Sequence, residues 1–113
     1  MRLLNQTKNT ILAEDMLFAD TPAKRIKGLL GRKDFPKGQA LAIKPCNSIH
    51  TFFMRFPIDV LFVSKSNKVI KTISDLVPFS FSPICFSSNF VIELPSATLR
   101  STSTTPGDQL SLE

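Results

Sequence analysis

Between Pro57 and Ile73 the chain reads as a β-hairpin, and that hairpin sets the scale of the other elements. Ile58, Val60 and Phe62 alternate with Asp59, Leu61 and Val63, so one carboxylate sits inside an otherwise apolar strand. Lys65-Ser66-Asn67-Lys68 supplies the turn, because Asn tolerates a left-handed backbone and Ser hydrogen-bonds locally. Val69 to Ile73 returns as the partner strand. The other strand-like runs are short as well: Leu41 to Ile43 before Pro45, Ser48 to Met54, Asn89 to Leu94 before Pro95, and Gln109 to Leu112. Thr10 to Ala19 is longer, with Glu14-Asp15 as a break or bulge, and Thr105 to Asp108 carries the Pro-then-Gly pattern of a type II turn. Thr98 to Thr104 reads as polar and weakly structured.

A single segment has helical spacing. Ala23, Ile26, Leu29 and Leu30 form its apolar face, after Thr21 as N-cap and Pro22 at the first helical position, with Gly31 as the stop. Gly28 falls inside this nine-residue stretch and points to a close approach by a neighbouring backbone. The expectation is six or seven strands and one short helix near the N-terminus. That is a compact α+β, mostly β, sheet or barrel-like fold, in one domain over residues 1–113.

The chain has one His, His50, and two Cys, Cys46 and Cys85. A closed Cys/His zinc site needs four ligands, so no metal and no cofactor is expected. The Cys spacing fits no redox motif, and both thiols are expected free. The net charge is +5, and its excess lies between Pro22 and Lys44, where seven basic residues face only Asp34. Such a patch suits an anionic surface through Lys24, Lys27, Arg32, Lys33 and Lys37. Phe35 is the one aromatic among them, so a base-stacking platform for nucleic acid is not evident. No apolar stretch is long enough to span a bilayer and no secretory signal opens the chain. A cytoplasmic location is expected for the chain as given, with export of a longer precursor left open.

Cys46, His50 and Asp59 are the candidates for catalytic chemistry: a nucleophile, a base and an acid. On one continuous strand Cys46 and His50 would be about 13 Å apart and unable to share a hydrogen bond. Asp59 and Glu93 each interrupt an apolar run, and buried carboxylates need partners. Arg25, Arg32, Arg55, His50 or a set of backbone N–H groups are the candidates. If a pocket exists, His50 and Asp59 are the groups expected to line it.

Several stretches resemble the bacterial and archaeal family known as domain of unknown function 192. They are Ala19-Asp20-Thr21 to Arg25, then Gly28-Leu29-Leu30-Gly31-Arg32, the long Cys46 to Phe62 stretch, Val91-Ile92-Glu93-Leu94, and Gly107-Asp108. His50 stands where another form of the family has Trp, and Ser96-Ala97 stands where the family usually has Gly. The resemblance implies a small β-rich domain and no established activity. It also singles out Arg25, Arg32, Asp59, Glu93 and Asp108 as a polar cluster of structural or binding role. The reading that follows is a binding or accessory module, with the uncharged Phe-rich segment 77–90 as a surface for a protein partner. The alternatives are a small-ligand enzyme with a cleft at His50 and Asp59, or a weak binder of anionic surfaces.

Overall fold

A computed structural model describes residues 1–113. Seven strands form one curled sheet: β1 (Leu3–Asn5), β2 (Thr10–Ala19), β3 (Gly38–Ile43), β4 (Ile58–Val63), β5 (Val69–Leu76), β6 (Phe90–Pro95) and β7 (Leu110–Leu112). Their order is β5-β4-β6-β3-β2-β1-β7. All pairings are antiparallel except β2 with β3, which are parallel and joined by the helix α1 (Pro22–Lys27). The two sheet edges meet at one end. Leu110 donates to the Asn67 carbonyl and Gly107 to the Val69 carbonyl, each at 2.8 Å, which gives the sheet its half-barrel curl.

Two cores follow from strand parity. One draws on all seven strands, with Leu3, Met16, Ala42, Leu61, Val69, Ile92 and Leu110 among its members, and so fills the inside of the curl. The other lies on the outer face of β4 and β6, where Ile58, Val60, Phe62 and Val91 pack under Leu29 and Met54. β4 and β6 contribute to both cores, so every residue in each is buried.

The hairpin, the strand at 10–19 and the type II turn form where the sequence places them, and the β2–β3 register shifts between Ala13 and Asp15. Four local expectations are corrected. α1 begins as expected, with Thr21 Oγ1 accepting from the Lys24 amide at 3.2 Å, but it ends at Lys27. Gly28 terminates it at φ +45°, a conformation that glycine tolerates and side chains rarely adopt. The helix also buries none of its residues, and Ile26 is 77 % exposed; only Leu29, beyond its end, anchors it. Ser48 to Met54 is not a strand. Phe53 takes φ +64° and the segment makes one bridge, His50 to Phe81. Thr98 to Ser101 forms a second short helix, α2, and Thr98, Thr102 and Thr104 are buried there because their hydroxyls find partners. The short opening strand β1 had no counterpart in the sequence reading.

Candidate functional site

The outer face of the sheet carries a cavity of about 170 Å³ between the end of α1 and the 46–54 loop. Its floor is Glu93 of β6, which lies opposite Val60 of β4 and Leu41 of β3 and therefore points to the same face as they do. Arg25, Ile26, Lys27 and Gly28 form one wall, and Cys46, Ile49, His50 and Met54 form the other.

The second wall is built by main-chain bonds to segment 80–89. Thr51 donates to the Ser80 carbonyl, Ser82 to the Ile49 carbonyl and Cys85 to the Asn47 carbonyl, at 2.8–2.9 Å. The Ile49 amide donates to Ser82 Oγ at 2.8 Å, and Ser88 Oγ to the Cys46 carbonyl at 3.0 Å. Backbone bonding of this kind holds two loops without burying their side chains. Phe53 is 76 % and Phe86 86 % exposed, and Phe79 and Phe81 are exposed as well. Phe52 stacks on His50 at 5.3 Å and meets Phe81 edge-on at 4.6 Å, while Phe53 meets Phe79 at 5.6 Å. An aromatic lip thus runs outward from His50 at the cavity mouth.

Glu93 is only 4 % exposed and has no hydrogen-bond partner in the protein. Burial pushes its carboxyl up to about 8, so at neutral pH it is a neutral acid. Gly28 lies beside it: a Cβ there would stand 3.9 Å from Glu93 Oε1, an ordinary contact, so φ +45° and not crowding is what calls for glycine. The close backbone approach expected at Gly28 is not found; the glycine serves the positive φ that ends α1. Arg25 donates from Nη1 to the Pro45 carbonyl at 3.2 Å, while its Nε is buried with no acceptor. Burial also pushes the Cys46 thiol up, and its Sγ donates to the Ser48 carbonyl at 3.0 Å. A thiol held in that form is a poor nucleophile.

Asp59 is elsewhere. It lies opposite Leu94 and points to the inside of the curl. Its Oδ1 accepts from the Asp75 amide and its Oδ2 from the Leu99 amide, both at 2.9 Å. The predicted partner of backbone N–H groups is what it has, and α2 is capped by a carboxylate forty residues away in sequence. His50 and Asp59 thus stand on opposite faces of the sheet, and a cleft lined by both does not form. The polar residues singled out together are also dispersed. Arg32 donates to Gln39 at 2.6 Å and lies over Phe35, whereas Asp108 is bound by Asn5 at 2.9 Å and paired with Lys8 at 3.0 Å. Only Arg25 and Glu93 share a site, and Cys46 and His50 join them there. The roles of Ile26, Lys27 and Met54 in lining it were not foreseen.

The model of the DUF192 family, described as "Uncharacterized ACR", matches residues 3–112. The chain belongs to the DUF192 family. A UPF0127 protein of Pyrococcus furiosus is 32 % identical to this DUF192 chain, over 96 % of the chain and 95 % of the relative. A crystal structure of a protein of unknown function from Novosphingobium aromaticivorans superposes with a TM-score of 0.86 at 18 % identity, covering 99 % of this chain and 84 % of that one. One from Sinorhizobium meliloti, named as a candidate transcription regulator, superposes at 0.82 with 21 % identity, covering 97 % and 89 %. At these identities the two structures show a shared fold and nothing further. No helix of this DUF192 domain is long and apolar enough to cross a membrane.

Proposed function

We propose that this DUF192 domain is a binding module, and that it holds an apolar ligand or partner segment at the Glu93 cavity and its aromatic lip. One observation carries the reading: Phe53, Phe79 and Phe81 are exposed, meet one another directly or through Phe52, and sit on loops fixed by their own backbones. Soluble domains rarely expose contiguous apolar patches of this kind unless something docks there. A rigid lip loses little entropy on contact, which favours binding. The chemistry of the cavity supports the same reading, because burial holds Cys46 as a thiol and its Sγ is already donated to the Ser48 carbonyl.

The dye 1-anilinonaphthalene-8-sulfonate tests this. Its fluorescence is expected to rise with the native protein, and to stay dark when Phe79 and Phe81 are both replaced by Ser with the melting temperature nearly unchanged. A native protein that leaves the dye dark, or an enhancement that survives both substitutions, overturns the reading.

A further inference from the structure

The polar groups of the cavity are hydrogen-bond donors with little to receive them. Arg25 Nε is buried without an acceptor. Glu93, as a neutral acid, presents an O–H that nothing in the protein accepts. At the mouth, His50 Nδ1 accepts from the Phe52 amide at 3.3 Å, which turns Nε2 away from that bond. The Ser48 carbonyl is already engaged by Cys46 and the Pro45 carbonyl by Arg25. Lys27 lines the cavity and forms no ion pair. The other lining groups, Ile26, Leu29, Ile49 and Met54 among them, are apolar.

We infer that the cavity binds the carboxylate end of an apolar ligand, the anion accepting from the Arg25 guanidinium and from the Glu93 O–H while the apolar body lies along Ile26 and the aromatic lip. The inference rests on the binding-module reading and names its ligand class. A cationic end would meet Arg25 and Lys27 at like charge, and a neutral amide would forgo the attraction to them. The groups that face Glu93 are Arg25 and Lys27 from α1, Cys46 and His50 from the opposite wall, and the apolar Leu41 and Val60 from the flanking strands. Loss of the Glu93 proton replaces a donor by a buried negative charge, which expels the ligand carboxylate. The same end group occurs on small apolar acids and at the C-terminus of a peptide.

The experiment is a ¹⁵N–¹H NMR titration of the full chain with 4-phenylbutyrate, 4-phenylbutylamine and 4-phenylbutyramide at pH 7 and 9.5. Acetyl-Leu-Phe is titrated beside them as free acid and as C-terminal amide. The acids are expected to shift resonances of residues 25–29 and 46–50, and to bind about 30-fold more weakly at pH 9.5 than at pH 7, as one ionisation near pH 8 requires. In Glu93→Gln, whose amide still donates, that pH dependence is expected to vanish. Tighter binding of the free-acid dipeptide than of phenylbutyrate supports a chain terminus as the source, and the reverse order supports a small acid. An amine or amide that binds as tightly as its acid overturns the carboxylate inference and leaves the binding module standing. Acid affinity that is equal at the two pH values in the wild-type chain also overturns it. If no probe moves any cavity resonance, both readings fall.

Discussion

Glu93 ties stability to pH in a direction opposite to that of most carboxylates. Its folded-state pKa is about 8 against an ordinary 4.5, and burial is the cause. Between those values the folded protein keeps a proton that the unfolded chain has lost. Stability is therefore full below the unfolded pKa and is lost as pH rises through the folded one. At ~1.4 kcal/mol per tenfold in the proton equilibrium, the loss between pH 5 and pH 8.5 comes to about 4 kcal/mol. That is a large fraction of the ~5–15 kcal/mol that holds a domain of this kind together. Glu93→Gln keeps the shape of the neutral acid and cannot ionise. Urea denaturation of both proteins at pH 5, 7 and 8.5 isolates the effect, because every other titration cancels in the difference. The variant is expected to gain on the wild type by about 4 kcal/mol across that range. A difference that stays constant with pH would show that Glu93 is already ionised when folded, and the reasoning from its burial would be wrong.

Other substitutions probe the frame around the cavity. Asp59→Ala leaves the Asp75 and Leu99 amides without their acceptor, and is expected to destabilise by about 2–5 kcal/mol in chemical denaturation. Gly28→Ala places a side chain at φ +45° beside Glu93, with an expected loss of about 1–3 kcal/mol read by the same assay. Asp108 is buried, which opposes ionisation, but hydrogen bonds from Asn5, the Thr105 amide and Lys8 outweigh burial and hold its carboxyl below the usual range. It stabilises above the unfolded pKa and stops doing so as pH falls through the folded one, so Asp108→Asn is expected to flatten the acid limb of a pH-stability curve. Cys46, pushed up by burial, is expected to react with iodoacetamide at pH 8 more slowly than a free cysteine does, followed by mass of the alkylated peptide.

Much of the fold is legible because strands and turns announce themselves locally. The hairpin at 57–73 needs only alternation and an Asn-containing turn, and the Thr105–Asp108 turn needs only Pro before Gly. The 46–54 loop is illegible for the opposite reason. Its residues have strand-forming side chains, yet its backbone is satisfied by segment 80–89 and bends at Phe53, a long-range arrangement with no local signal. Thr98 to Thr104 misleads in the same way, because its polarity is neutralised inside the fold by Asn5, Asp59 and neighbouring carbonyls. Ile26 fits the apolar face of a helix by spacing, but a helix of six residues ending at Gly28 lies too shallowly to bury it.

The two interrupting carboxylates show where sequence reasoning stops. Asp59 and Glu93 look alike in sequence, one acid within an apolar strand, and both are buried. Their difference is a matter of register. Asp59 pairs with Leu94 and Glu93 with Val60, one position apart on the same two strands, so parity sends them to opposite faces. Inside the curl, Asp59 meets two backbone amides and is spent on structure. Outside it, Glu93 meets a cavity in which an arginine Nε is also unpaired. A buried polar group without a partner costs about 1–3 kcal/mol, and Arg25 Nε is such a group beside the opening that Glu93 lines. Glu93 thus shares its cavity with Arg25, Cys46 and His50, on the face of the sheet that Asp59 does not reach.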